Sequence, residues 1–184
     1  MNDHLLHRLD RVESAEAIRQ LVSRYGVLID SRDLDALVEL YVEDFRVARD
    51  LHGRAALRAT FERMLGAEAP FTTTIHFVGN QTIDFDETNP DRASGVVYCR
   101  AEHEFPDLWV VATLQYWDTY ERRDGKWYFA QRKLKAFYAA DVLERPNGPD
   151  RIKRQVSPGG LLSTAEVPES WPSWQRFQTE LYPA

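Results

Sequence analysis

The chain has 184 residues, a formal net charge of −6 and a pI of about 5.4. This length fits one domain and leaves no room for two independent cores. With 43% hydrophobic and 28% charged residues, the composition is that of an ordinary globular protein. The net negative charge and the lack of a long basic cluster argue against binding to the phosphates of a nucleic acid, so no nucleic-acid partner is expected.

The single cysteine, Cys99, rules out a disulfide within the chain and a cysteine-rich metal site. The first residues lack a basic segment followed by an apolar run, and no stretch approaches the roughly 18 apolar residues that span a bilayer. We therefore expect a cytoplasmic protein without a membrane partner.

The first third of the chain predicts helices. An apolar stripe with helical spacing predicts the first helix over 13–30, with Ser14 as its N-cap. Asp33 is suited to cap a short second helix. Gly53 precedes a third helix, which ends at Gly66.

From residue 71 onwards, β-branched and aromatic residues predict strands instead. The predicted strands cover 72–85, with a bend at Gly79-Asn80, and then 93–105, 108–122 and 126–138. Asp124-Gly125, between two aromatic-rich runs, is the strongest hairpin signal in the chain. Helices first and strands afterwards indicate an α+β fold with an antiparallel sheet.

The amino-acid composition changes after Asp141, where Pro and Gly become frequent although aromatic and aliphatic residues are still present. We expect residues 1–140 to form the domain and 141–184 to be a C-terminal extension of it. A short helix near 171–181 is predicted to cover a pocket or to contact a second subunit.

Two residues are candidates for acid–base chemistry. Asp30 follows an apolar run at the end of the first helix, where burial would raise its pKa, and an exposed turn residue is the alternative. His76 lies within a strand of Thr, Ile, Phe and Val. Imidazole suits a general base because its ordinary pKa is about 6.5, and a core histidine is the alternative.

Other polar residues in apolar surroundings are weaker candidates. Tyr25 lies roughly 140° around the helix from Asp30, so the two side chains do not share one face and can converge only on a pocket beside the end of the helix. The alternative for Tyr25 is a core tyrosine. Arg100 and Arg132 lie inside apolar strands, where an inward guanidinium would stabilise developing negative charge and an outward one would be an ordinary surface residue. His103, between two glutamates, is expected on the surface of the sheet.

Neither a metal nor a cofactor is predicted. The histidines lack the His-x-x-x-His spacing and a carboxylate cluster that would complete a metal site. The dinucleotide-binding glycine pattern, the P-loop and the Gly-x-Ser-x-Gly elbow do not occur in the sequence.

Taken together, these residues resemble the SnoaL-like group of the nuclear transport factor 2-like superfamily. The opening of that group is matched by Ala17 to Leu21, Tyr25, Asp30 to Leu37, Tyr41 and Asp44. Its histidine-bearing strand is matched by Thr74 to Asn80, and its closing hairpin by Gly125-Lys126-Trp127 with Arg132. The resemblance covers about residues 13–140. It implies a cone-shaped, cystatin-like α+β barrel of three N-terminal helices packed in a strongly curved antiparallel sheet.

The resemblance also implies site residues. Scytalone dehydratase, bile acid 7α-dehydratase and hexachlorocyclohexane dehydrochlorinase carry a His–Asp pair, which His76 and Asp30 match here, with Tyr25 as a third catalytic residue. The expected substrate contacts are Arg100, Arg132, Tyr116, Phe45 and Phe61. A small hydrophobic or aromatic substrate and a homodimer or homotrimer, formed through the sheet, are also implied.

The expected function is a cofactor-independent lyase in which the His–Asp pair starts an elimination. A dehydratase-like reaction is one form. Carbon–carbon cleavage that releases formaldehyde from a lignin-derived diaryl compound is the other. The alternatives are an isomerase like ketosteroid isomerase, a polyketide cyclase, and a module that binds or transports a small molecule.

Overall fold

The computed structural model describes residues 3–66, 72–143 and 170–181. Three helices come first, α1 (Asp3–Asp30), α2 (Leu34–Val38) and α3 (Arg54–Leu65). A two-stranded antiparallel ribbon of β1 (Arg46–Ala48) and β2 (Leu51–His52) lies between α2 and α3 in the chain. Much of the predicted C-terminal extension lies outside the described residues.

The ends of α2 and α3 agree with the sequence, whereas the start of α1 does not. Asp33 caps α2, its carboxylate accepting from the Ala36 N–H at 3.1 Å, and the Gly66 N–H closes α3 by donating to the Glu62 carbonyl at 2.8 Å. The prediction that Ser14 begins α1 is wrong, because the helix starts at Asp3 and Ser14 is the first buried residue in it. Its earlier turns are exposed, although Leu5, Leu9 and Val12 recur at helical spacing and could have indicated the longer helix.

Five strands form one antiparallel sheet, β3 (Thr73–Gly79), β4 (Asp84–Phe85), β5 (Arg92–Glu104), β6 (Trp109–Arg123) and β7 (Lys126–Asp141). Their order is β3-β5-β6-β7, and β4 also pairs with β5. The predicted hairpin joins β6 to β7, with φ of 50° at Asp124 and 76° at Gly125, as a type I′ turn requires. The predicted α+β class, with helices packed against a curved antiparallel sheet, is confirmed.

An irregularity in the β6–β7 pairing decides which side chains of β7 face the helices. The register shifts between Thr119 and Tyr120 of β6, and it shifts again farther along the same pair of strands. An extra residue exchanges the two faces of a strand beyond the bulge. Phe129 before the bulge and Arg132 after it therefore both reach the concave side of the sheet, where they contact each other.

Helix α1 lies against this concave side, and Gly26 sets its distance from β3. A Cβ at Gly26 would lie 3.2 Å from the carbonyl oxygen of His76, which is tighter than most Cβ contacts. The missing side chain lets the helix approach the strand that carries His76. This close approach brings Asp30, the last residue of α1, beside β3.

The predicted terminal helix is present as α4, Pro172–Leu181. Just before it, Trp171 packs edge-on against Phe137, their ring centroids 5.8 Å apart, and Phe137 stacks on Tyr98 at 5.7 Å. Tyr98 is exposed between buried neighbours of β5 and so lies on the outer face of the sheet. This contact lies away from the concave side, and the role of the extension as a lid or a subunit contact stays a prediction.

Candidate active site

A pocket of about 110 Å³ opens between the concave side of the sheet and helices α1 and α3. Its wall is mainly apolar, formed by Ile29, Phe61, Met64, Leu65, Ala101, Phe105, Val110, Ala112, Leu114, Leu134 and Ala139. Five other side chains bring polar atoms to it, those of Tyr25, Thr74, His76, His103 and Tyr116. An apolar cavity of about 150 Å³ holds benzene in another protein, so this volume suits one small ring.

The His76–Asp30 pair lies at this wall. The Nδ1 atom of His76 is 2.7 Å from Oδ1 of Asp30, and the backbone N–H of His76 donates to Oδ2 at 2.7 Å. The side chain of His76 is 6% exposed and that of Asp30 is 24% exposed. Because both oxygens of the carboxylate bind the same residue, the imidazole is held in position by its side chain and its main chain together.

Thr74 and Arg32 complete the surroundings of the carboxylate. Arg32 Nη1 donates to the Thr74 hydroxyl at 2.7 Å and to the Ile29 carbonyl at 2.6 Å. A guanidinium only donates hydrogen bonds, so the Thr74 oxygen accepts from Arg32 and its one hydrogen goes to Asp30 Oδ1 at 2.9 Å. Asp30 thus accepts three hydrogen bonds, from the Thr74 hydroxyl and from the ring and main chain of His76.

The charge state of Asp30 follows from these contacts. Burial alone would raise the pKa of this carboxyl, but the hydrogen bonds and charge of His76 and the bond from Thr74 hold that pKa below its ordinary value. The expectation of a raised pKa for Asp30 is therefore wrong, because the contacts with His76 and Thr74 outweigh the effect of burial. An ionised carboxylate only accepts, so Nδ1 of His76 carries the hydrogen between them and Nε2 is the basic nitrogen.

Two phenols lie beside the imidazole in the pocket. The ring of Tyr25 is 6.2 Å from that of His76 and 5.6 Å from that of Tyr116, in nearly perpendicular arrangements. Burial raises the pKa of both tyrosines above the ordinary value. Both hydroxyls therefore stay protonated near neutral pH, and they interact with each other.

Arg132 lies behind these phenols and not in the wall of the pocket. Its guanidinium binds both carboxylate oxygens of Asp118, at 2.8 Å and 2.7 Å, and the arginine side chain is only 8% exposed. The prediction that Arg132 contacts substrate is therefore wrong for this pocket. The bulge turns Arg132 inward, but Asp118 holds it beneath the aromatic rings.

Two further predicted substrate contacts lie elsewhere. Arg100 is 53% exposed and binds Glu102 at 3.0 Å, because the alternation along β5 turns it away from the buried Cys99 and Ala101. Phe45 packs against the ring of Tyr41 in the core and is not among the residues that line the pocket. Both predictions are wrong for this pocket. Tyr25, Tyr116 and Phe61, by contrast, line the pocket, and their roles toward a substrate stay predictions.

The sequence reasoning missed His103, which was expected on the surface. It lies two residues beyond the buried Ala101 on β5, and its ring centroid is 6.0 Å from that of His76. Burial, helped by the nearby His76, lowers the pKa of His103 to about 4, so this imidazole is neutral at physiological pH. The alternation through Val97, Cys99 and Ala101 is the signal that identifies it as inward-facing.

The described ranges contain no group of three His, Cys, Asp or Glu side chains arranged to hold a metal ion. No helix in the same ranges combines the length and the apolar character that crossing a bilayer requires.

The sequence profile of the SnoaL-like domain matches residues 10–133, and no curated protein matches the chain. A candidate scytalone dehydratase from Novosphingobium aromaticivorans is 26% identical, with a TM-score of 0.61 over 74% of this chain and 92% of that one. A hexachlorocyclohexane dehydrochlorinase (LinA) of type 2 is 22% identical, with a TM-score of 0.65 over 77% and 97%.

A third similar structure is an NTF2-like protein with a cystatin-like fold, also from Novosphingobium aromaticivorans. It is 28% identical, with a TM-score of 0.56 over 73% of this chain and 88% of that one. The resemblance inferred from the sequence is thus confirmed. Since the profile covers most of the helix-and-sheet domain and the similar structures share its fold, the chain belongs to the SnoaL-like family of the nuclear transport factor 2-like superfamily.

Proposed function

We propose that the protein is a cofactor-independent lyase that removes a small leaving group from a single-ring, mainly apolar substrate. The observation that carries this proposal is the 2.7 Å contact between His76 Nδ1 and Asp30 Oδ1 at the wall of an apolar pocket. A base held by an ionised carboxylate in a water-poor pocket is what proton removal from carbon or from a hydroxyl requires.

In the proposed mechanism His76 takes the proton through Nε2. Asp30 keeps the hydrogen on Nδ1, fixes the direction of the ring and stabilises the imidazolium that forms. Asp30 is itself a poor base, because it accepts three hydrogen bonds and its pKa is lowered. This argues against a mechanism like that of ketosteroid isomerase, in which the carboxylate takes the proton.

The leaving group needs a hydrogen-bond donor on another side of the substrate. The hydroxyls of Tyr25 and Tyr116 are protonated donors in the same pocket as His76, and the neutral imidazole of His103 is a further polar contact. We assign the two phenols to the departing oxygen or halide and His103 to the binding of a polar substituent. The names of a dehydratase and a dehydrochlorinase among the similar structures support elimination as the reaction class.

The volume of the pocket bears on the two forms of the reaction. About 110 Å³ accommodates one ring, and a diaryl compound would have to leave its second ring outside. Elimination from a monocyclic substrate is therefore favoured over cleavage of a diaryl compound.

The test is product analysis with monocyclic substrates that carry a hydroxyl or a halide beside an acidic C–H bond, in ordinary water and in D₂O. A lyase releases the leaving group and forms an alkene in equal amounts. An isomerase would exchange deuterium into the substrate without release, and a binding module would show saturable binding with neither change. Either of these two results with every ligand that binds would contradict the proposal.

A further inference from the structure

Three aromatic rings surround the guanidinium of Arg132. Its central carbon lies over the rings of Tyr25, Tyr116 and Phe129, at 4.2, 4.1 and 4.1 Å from their centroids. These distances are well within the range of a cation–π contact. One cation thus touches both phenols of the pocket without entering the pocket itself.

The ion pair with Asp118 does not account for this placement. Asp118 binds the guanidinium through Nε and Nη2, and the contacts with the aromatic rings are additional to that ion pair. The remaining nitrogen, Nη1, is buried, and the guanidinium also interacts with the hydroxyls of Tyr25 and Tyr41. The cation is therefore paired with Asp118 along one edge and acts on the neighbouring phenols through its charge.

We propose that Arg132 is a positioning residue that polarises Tyr25 and Tyr116 and makes their hydroxyls stronger hydrogen-bond donors toward negative charge in the pocket. A cation on the face of a phenol draws electron density from the ring and favours negative charge on or near the oxygen. The charge of Arg132 also lowers the pKa of both phenols against the effect of burial, which raises it. Asp118 fixes the guanidinium in the required place.

The catalytic meaning of this inference rests on the proposed lyase, but its physical content is testable without turnover. The probe is 4-nitrophenolate, a one-ring anion, compared with nitrobenzene, a neutral ligand of similar shape. The ratio of their dissociation constants measures how strongly the pocket favours negative charge on a ring oxygen. The measurement is a binding titration by absorbance at a pH at which 4-nitrophenol is ionised.

The principal variant is Arg132→Met combined with Asp118→Asn. This double variant removes both buried charges and keeps the net charge of the chain. In the wild type the Tyr120 hydroxyl donates to Asp118 at 3.1 Å, and the amide oxygen of the new Asn side chain can accept the same bond. Replacement of a buried ion pair by uncharged residues of similar volume is often neutral for stability, so folding is expected. Lys133→Met is the matched control, since it removes an exposed cation from the same strand.

We expect the preference for 4-nitrophenolate over nitrobenzene to fall roughly tenfold in the double variant, as loss of a buried cation–π contact implies. Lys133→Met should leave the preference unchanged. The effect should disappear when Tyr25 and Tyr116 are both already Phe. An equal loss of affinity for both ligands would mean that Arg132 only shapes the pocket and would overturn the proposal, as would an unchanged preference.

If the double variant does not fold, Arg132→Lys provides the test. The ammonium keeps the charge and the pairing with Asp118 but cannot cover two rings as a planar guanidinium does. A reduced preference for the phenolate is expected, and an unchanged one would overturn the proposal. Absence of turnover in the wild-type protein would refute the lyase while leaving these binding results readable.

Discussion

Replacement of Asp30 by Asn tests the hydrogen-bond pattern that makes His76 a base. The two carboxylate oxygens now face three donors, the His76 backbone N–H, its ring Nδ1–H and the Thr74 hydroxyl. An amide offers one oxygen and one NH₂ group, so it cannot accept all three. The backbone N–H cannot turn away, and an NH₂ group placed 2.7 Å from it would set donor against donor.

The amide oxygen therefore takes the place of Oδ2, and the NH₂ group points at Nδ1 of His76 and at Thr74. Nδ1 must then accept, which moves the ring hydrogen to Nε2 and removes the basic nitrogen. We expect the turnover of Asp30→Asn to fall by roughly 10²- to 10⁴-fold, the range for loss of a general base or of its correct tautomer. Stability should fall by only about 1–2 kcal/mol, because most of the bonds re-form without charge assistance.

The assays are the steady-state rate and ¹⁵N NMR of the histidine ring, which reports the tautomer directly. The matched control is Asp33→Asn, because Asn caps a helix about as well as Asp does and Asp33 caps α2 away from the pocket. A variant that keeps its ring hydrogen on Nδ1, or that keeps its turnover, would refute the reasoning.

Three further predictions concern pH and packing. Because the pKa of Asp30 is lowered in the folded protein, the stability it contributes is present above the unfolded-state value of 3.8 and is lost as pH falls through the folded value. The difference in unfolding free energy between wild type and Asp30→Asn should therefore shrink below about pH 4, and a constant difference in urea titrations down to pH 2.5 would contradict this. Gly26→Ala should destabilise the protein by about 1 kcal/mol net, because the pressure of the new methyl group on the His76 carbonyl outweighs the roughly 1 kcal/mol that Ala gains over Gly inside a helix. Gly79→Ala, in strand β3 and with nothing within 4 Å of the added Cβ, is the control, and equal effects of the two in chemical denaturation would contradict the packing argument. The ring of His103 should titrate near its lowered pKa of about 4, so an NMR midpoint near the ordinary value of 6.5 would show that burial has been misjudged.

The elements that local chemistry determines were predictable from the sequence. The stripe of α1 from Ile18 to Ile29, the Asp33 cap and the Asp124-Gly125 turn each depend on neighbours along the chain. The inward direction of His76 was predictable too, since His76 lies two residues from Thr74 on an ordinary strand and therefore shares a face with it. Family resemblance then indicated which carboxylate the imidazole would face.

The wrong predictions concern residues whose position on one face of the sheet or the other depends on pairing between distant strands. Arg100 and His103 lie on opposite faces of β5, and their assignment needs the parity of the whole strand, which a local view of charged neighbours does not supply. The inward direction of Arg132 depends on a bulge in β7, and no turn residue in the sequence indicates that bulge. Arg32 was overlooked because its hydrogen bond to Thr74 joins residues 42 positions apart. Its backbone φ of 60°, just after the end of α1, is likewise not visible in the sequence.

Two histidine variants show whether His76 removes the proton. His76→Gln removes the base while keeping a polar side chain of similar reach, and His52→Gln changes an exposed histidine outside the pocket. The measurement is the rate of leaving-group release at saturating substrate, with circular dichroism to verify folding. We expect a loss of about 10²-fold or more for His76→Gln and none for His52→Gln. Full activity in folded His76→Gln would contradict it.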